Sequence, residues 1–415
     1  MSPATQQSLS YRQVFAIPAI RRLWFGQFIS ITGDFLAIFA VISIASFRMH
    51  GTPAQITGVS IAYMLPLAIF GPIAGVFVDR WNVKYTMIAS DLIRSVMALL
   101  LVFAGSLEAI WAILFAISMV STFFIPAQSV TIRAIVPREG LLATNALMQQ
   151  AMLVTRIASP AAAGALVARF GASSCFYLDT VSFLFSAFML SAIVVHRPQS
   201  PPGQAGERRG IKAVNADLFA GVRFVLTHPP ISFVMIAMAT ATFAISCFSP
   251  LIAVFVRDIL HAQVRTFGTI SAMIGVGMVV GSLSVRRFAM KRSHQHTVLA
   301  GLGVMSAGIV LMGGTSLAVA TGAGAFVMGL GVGFMIVPAQ TIMQSETPLP
   351  MVGRVASSVM ALISVAQVLG LLLSGSLADF LGMRPLFYAS ATLIALLTTA
   401  GYFKLKRPLV EASSS

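Results

Sequence analysis

From Leu23 to Phe47 the chain carries a single charged side chain, Asp34. A stretch that apolar leaves few folding options, because about 20 apolar residues in a helix are enough to cross a bilayer. Similar runs recur, so that the candidates lie near 22–47, 55–78, 85–105, 109–132, 143–168, 173–195, 230–256, 264–285, 297–316, 318–344, 355–378 and 384–403. Lipid cannot satisfy bare backbone polar groups, and the runs lack the two-residue alternation of a barrel. The expected fold class is therefore all-α membrane protein, with twelve transmembrane helices. Composition agrees: charged residues make up 9% of the chain, against roughly 25% in a soluble domain.

A net charge of +15 would suggest nucleic acid in a soluble chain. Here the basic residues are sorted by side. With the N-terminus in the cytoplasm, 20 of the 27 Lys and Arg fall on the cytoplasmic side and five on the other. Arg94 and Arg156 fall inside helices. The asymmetry follows the positive-inside rule and predicts cytoplasmic termini, with no nucleic-acid partner. Cys175 and Cys247 lie in predicted helices of opposite halves and read as small apolar core residues rather than a disulfide. The first apolar run is long enough to stay as a helix rather than act as a cleaved leader.

Two segments nearly repeat each other: FFIPAQSVTIRAIVP at 123–137 and FMIVPAQTIMQSETP at 334–348. Displaced by 212 residues, Pro126-Ala127-Gln128 falls on Pro338-Ala339-Gln340, and at 211 Phe176-Tyr177 falls on Phe387-Tyr388. This predicts two six-helix bundles, 1–196 and 230–415, in parallel repeat, a known transporter architecture. Residues 197–229 between them open as a Pro/Gly-rich linker. They continue with Ile211, Val214, Leu218, Val222 and Val225 at helical spacing, which suggests a helix on the membrane surface.

Three segments then resemble the major facilitator superfamily, and in particular its multidrug and macrolide efflux branch, the third drug:proton antiporter group that includes enterobactin-type exporters. They are RRLWFGQFISITGD (21–34), GPIAGVFVDRWNVKYTMIASDLIR (71–94) and GVRFVLTHPPI (221–231). The second is the most specific. The superfamily pattern G-x-x-x-D-R-x-G-R-[RK] is matched by Gly75, Asp79, Arg80 and Lys84, while Asn82 replaces a glycine and Val83 a base. Asn tolerates a left-handed backbone, so the turn is expected to survive. Gly75 would let two helices approach closely. Asp79 can pair with Arg133, forming a latch on the cytoplasmic side. Val285 stands where the second half would place Asp79. SPAAAG (159–164) resembles the superfamily's antiporter motif through Pro160 and Gly164, which predict a kink and tight helix packing.

Charges deep in the helices cost a few kcal/mol each, so each asks for a role. Asp34 lies about 20 Å along its helix from the cytoplasmic start, on one stripe with Gln27 and Ser30. The resemblance implies that helices 1, 4, 7 and 10 line a central cavity, where a carboxylate can carry a proton. A carboxylate locked to an arginine is the other reading. Arg156 is the expected partner, holding Asp34 ionised or meeting an anionic substrate group. Asp91 and Arg94, three apart on one helix, read as a structural pair, and Asp179 as solvated or paired near an outer helix end. The remaining cavity candidates are Ser118, Thr122 and Ser129, then Thr242, Ser246 and Ser249, then Gln340 and Gln344.

No histidine pairs with an acid at metal-ligand spacing inside a helix, and neither H-E-x-x-H nor G-x-x-x-x-G-K-[ST] occurs. An enzyme, a metal, a cofactor and direct ATP coupling are not expected. The reading is a proton-coupled exporter of lipophilic small molecules working by alternating access as a monomer in a bacterial inner membrane. A lysophospholipid or lipid flippase and a siderophore exporter are the alternatives on the same fold.

Overall fold

The computed structural model describes residues 9–78, 80–195, 221–289, 293–348 and 351–406. Twelve long helices carry the fold: α1 Pro18–Ser43, α2 Pro53–Val78, α3 Val83–Leu100, α4 Leu107–Ile135, α5 Leu141–Phe170, α6 Ser173–Ser191, α7 Pro229–Phe248, α8 Val264–Ala289, α9 His294–Gly314, α10 Ala318–Glu346, α11 Val352–Leu381 and α12 Met383–Lys406. Each carries a stretch long and apolar enough to cross a membrane. Short elements trim the ends. A π-helical turn at Ile44–Arg48 closes α1, and a 3-10 turn at Ser249–Leu251 separates α7 from a short helix, Ile252–Asp258.

The helix starts are set by local chemistry. Pro18 and Pro229 occupy the first turns of α1 and α7, where a missing N–H costs nothing. Ser106 accepts from the Ala109 amide at 3.2 Å and caps α4. Asn82 has φ −75°, ψ 107° and accepts from the Lys84 and Tyr85 amides. It is an extended N-cap of α3, not the left-handed residue the motif suggested.

Contacts divide the chain into two compact units, one of Met1–Gly51 and Gly58–Pro201, the other of Thr52–Thr57 and Pro202–Ser415. The repeat is visible in the helix bounds. Pro18 and Pro229, Pro53 and Val264, Val83 and His294, Leu107 and Ala318, and Leu141 and Val352 each start helices 211 residues apart (229 − 18). Gly171 and Gly382 end α5 and α11 with the same backbone, φ 80°, ψ 164° and φ 85°, ψ 166°. That region is open only to glycine. In this register the counterpart of Asp79 moves from Val285 to Met290. Asp79 and Met290 both lie outside the described residues, as do Ile211, Val214 and Leu218 of the predicted surface helix.

In the first unit α6 packs against both α1 and α3, and α1 also packs against α5. Helix α3 shows why. Val83, Met87, Ser90, Asp91, Arg94, Ser95 and Ala98 are buried along one stripe, while Leu92, Ile93, Val96, Leu99 and Leu100 are exposed. Exposed apolar faces of this kind suit lipid.

The second unit is closed by glycine. A methyl group on Gly277 or Gly281 of α8 would lie 2.1 or 2.3 Å from the carbonyl oxygens of Phe326 and Leu330 in α10. Gly329 and Gly333 of α10 meet Ile274 and Met278 of α8 just as closely. On its other side α10 presents Gly324 and Gly331 to Gly308 and Gly301 of α9. Backbones in contact on two faces make α8, α10 and α9 one slab. Phe387 of α12 is fully buried with Phe248 and Phe255, at 4.8 and 5.1 Å between ring centroids. Val225, in the helical stretch 221–227, is fully buried with Ile231, Met235, Val355 and Val359. Cys175 and Cys247 are both buried free thiols.

Candidate functional site: an ionic cluster in the first unit

The charged side chains buried in the described residues are Asp91, Arg94 and Asp179, all in the first unit. Arg94 is the centre. One guanidinium nitrogen pairs with Asp91 three residues earlier on α3, and another lies 3.9 Å from Asp34 of α1. Its Nε donates to the Ser90 carbonyl at 3.4 Å. The guanidinium carbon stands 4.7 Å from the ring centre of Phe124 in α4 and 4.4 Å from that of Phe183 in α6. Two aromatic faces and two carboxylates hold the cation, an arrangement that suits weakly hydrated arginine.

Asp179 of α6 completes the cluster. It is 2% exposed, buried rather than solvated near a helix end as its position suggested. The Ser182 hydroxyl donates to its carbonyl at 2.7 Å and lies 3.3 Å from Oδ1. Gly33 of α1 makes room for it. A Cβ there would fall 2.5 Å from the Asp179 carboxylate and 2.2 Å from the Ser182 hydroxyl. Asp179 is within electrostatic reach of Asp34 and Arg94, and the Tyr63 phenol of α2 is within reach of all three. The Ser186 hydroxyl stands beside the Asp91 carboxylate.

Three carboxylates therefore face one guanidinium inside a membrane bundle. If all three ionise, two negative charges stay uncompensated, and taking up protons removes them one at a time. Asp34 is the member with solvent access, its side chain 21% exposed against 0% for Asp91.

The expected partner of Asp34 was Arg156, and here the structure differs. Arg156 lies on the exposed face of α5 and makes no ion pair among the described residues. The other predicted positions divide by burial. Gln27, Ser30, Ser118, Thr122 and Ser246 are buried within their own units. Thr122 donates to the Ser118 carbonyl at 2.9 Å, and a Cβ on Gly370 of α11 would touch Ser246. Thr242 is half-buried, and Ser129, Ser249, Gln340 and Gln344 are exposed.

Of the cytoplasmic motif, Arg80 and Arg133 are exposed. The Lys84 ammonium donates to the Ser191 carbonyl at 2.7 Å, and Arg22 donates to Ala192, so two cations finish the C-terminus of α6. Gly75 makes no close approach, since a Cβ there meets nothing within 4 Å among the described residues. Pro160 lies inside α5, where it removes the N–H that the Arg156 carbonyl would accept, and Gly164 is buried. Sequence reasoning missed Tyr63, Phe124, Phe183, Ser182 and Gly33. The last is the clearest lost signal, a glycine beside the one acid of its helix.

The repeat register sharpens the asymmetry. At 211 residues, Asp34, Asp91 and Arg94 fall on Ile245, Leu302 and Met305, and Asp179 on Ser390. The ionic cluster of one unit has no charged counterpart in the other, where Leu302 and Met305 are fully buried and Ser390 is a buried hydroxyl.

Known proteins resemble this chain along its length. A sequence profile described as Major Facilitator Superfamily matches residues 23–360 and 234–415. Macrolide efflux protein A of Streptococcus pyogenes is 26% identical over 391 residues, covering 90% of this chain and 92% of that one. The multi-drug resistance efflux pump PmrA of Streptococcus pneumoniae serotype 4 is 23% identical over 390 residues, covering 91% and 93%. Among solved structures, an inward-facing bacterial homolog of the human lysosomal transporter Spinster superposes with a TM-score of 0.72 at 12% identity, over 95% of this chain and 99% of that one.

Proposed function

Because the chain belongs to the major facilitator superfamily, and so is a multi-pass membrane transporter, we propose that it exports lipophilic small molecules in exchange for protons by alternating access. The observation that supports the coupling is the cluster around Arg94: one cation and three carboxylates, of which Asp34 is partly exposed. A proton taken at Asp34 loosens its attraction to Arg94, and Arg94 then rests on Asp91 and its two aromatic rings. Losing that proton restores the tie between α1 and α3. Protonation thus changes how two helices of one bundle are held, which is what coupling to a conformational cycle requires.

The cargo class is supported by two relatives whose names are those of efflux proteins, for macrolides and for multiple drugs. An exporter needs polar groups that a ligand can reach, and Gln340, Gln344 and Thr242 are accessible while most of the other candidates are not. The distribution of Lys and Arg supports cytoplasmic termini, in a bacterial inner membrane. The domain reading of 1–196, 197–229 and 230–415 belongs to the same proposal.

Inverted vesicles with an imposed pH gradient test it. Gradient-driven uptake of ethidium by the wild type, lost in Asp34→Asn and retained in Arg156→Gln, is the expected result. Uptake that survives in Asp34→Asn sinks the proton role of Asp34. No uptake by the wild type of ethidium or of a macrolide sinks the cargo class.

A further inference from the structure

Helices α8 and α10 touch backbone to backbone at mid-length through Gly277, Gly281, Gly329 and Gly333. Toward their N-terminal ends they part. A cavity of about 550 Å³ opens between them, a volume on the scale of small-molecule sites. It is a wedge. At its inner end Gly277 meets Phe326, whereas a Cβ on Gly322 nearer the helix start would meet nothing within 4 Å, and its walls are apolar: Ile270 and Met273 from α8, Phe326 from α10. Its rim is polar, with Arg265, Thr266 and Thr269 along α8.

The rim attracts an anion. Arg265 is exposed and makes no ion pair among the described residues. Across from it α10 begins at Ala318, another lining residue, and no side chain caps that helix start. Its first amide groups are free to donate, and the helix dipole adds to the positive field. The Thr269 hydroxyl donates to the Arg265 carbonyl at 3.0 Å and so is engaged along α8 itself. From Arg265 to Met273 the walls run about 12 Å into the span.

A positive rim at the end of a membrane span and an apolar wedge running inward from it fit an amphiphile with an anionic head. The bilayer around these helices supplies one. We propose that the wedge holds one anionic phospholipid, its phosphate between Arg265 and the start of α10 and an acyl chain against Ile270, Met273 and Phe326. This site is separate from the ionic cluster, and it stands whether or not the chain exchanges protons.

Native mass spectrometry of the full-length protein tests this. The protein is released from micelles containing phosphatidylglycerol or phosphatidylcholine of the same chain length. Wild type is expected to retain one phosphatidylglycerol through a delipidation that strips phosphatidylcholine. Arg265→Gln should weaken retention about tenfold, as for loss of one charge-assisted contact. Ala323→Phe keeps every charge but fills the wedge, and should weaken it as much. Equal retention by wild type and both variants overturns the proposal. So does loss in Arg265→Gln alone, which means surface attraction without an inserted chain. Displacement of the lipid by millimolar inorganic phosphate assigns a free-anion site and overturns it as well. Equal retention of phosphatidylcholine by the wild type removes the role of the head-group charge.

Discussion

Replacing Arg94 by Met separates the structural work of the cluster from its transport work. Asp91 is completely buried and Arg94 is its cation. Breaking a buried pair from one side costs about 3–5 kcal/mol, because the remaining charge is stranded. The contacts with Phe124 and Phe183 are worth about 0.5–2 kcal/mol each as cation–π pairs, but Met packs well between rings and returns part of that. The expected loss is therefore about 3–5 kcal/mol, dominated by Asp91. Adding Asp91→Asn removes the stranded charge. The double variant should then be more stable than Arg94→Met alone by about 2 kcal/mol, a coupling typical of contacting residues. Asp34→Asn breaks only the longer, partly exposed pair and should cost less than about 1 kcal/mol. Reversible unfolding in mixed micelles of rising SDS fraction reads five proteins: wild type, Arg94→Met, Asp91→Asn, their double variant and Asp34→Asn. An Arg94→Met midpoint equal to wild type refutes the reasoning. So does a double variant whose loss is the sum of the two single losses.

Two further outcomes follow from the packing. Gly33→Ala should push Asp179 and Ser182 away from α1 and abolish gradient-driven uptake in inverted vesicles without altering any charge, and uptake at the wild-type rate would show that this contact is not needed. Gly281→Ala should lower the unfolding midpoint by the equivalent of about 1–3 kcal/mol, since a backbone oxygen stands in the way, while Gly75→Ala should leave it unchanged; equal effects at the two sites would contradict the packing described.

The helices were legible because apolar length is a local property, and the duplication because Pro126-Ala127-Gln128 and Pro338-Ala339-Gln340 are written almost alike. The cluster was legible only in part. Asp34, Asp91, Arg94 and Asp179 stand out as charges in apolar runs, but who meets whom depends on how helices far apart in sequence cross. Arg156 lies in α5, which does pack against α1, yet its side chain is on the exposed face. The stripe of α3 held the better clue, because Asp91 and Arg94 share a face with Met87 and Ala98 and not with Leu92 and Val96. The burial of Asp179 depends on a side chain that Gly33 lacks, 146 positions earlier (179 − 33). No local pattern carries that. The turn at Asn82 was misread for a different reason. A side chain that caps a helix does the work a flexible backbone does elsewhere in the motif, and the two solutions look alike when only the substitution is seen.

The glycine seams of α10 also bear on how such a protein adapts. At Gly324, Gly329, Gly331 and Gly333 any larger residue collides with a neighbouring backbone, so those positions cannot drift. The strip bearing Val337, Gln340, Thr341, Gln344 and Ser345 is exposed, and variation there disturbs no packing. In the C-terminal half of α10, sequence change has little room except along this strip. Toward the C-terminal end of α10, tolerated variants should therefore gather in this single helical stripe, beyond the glycines that hold the neighbouring backbones.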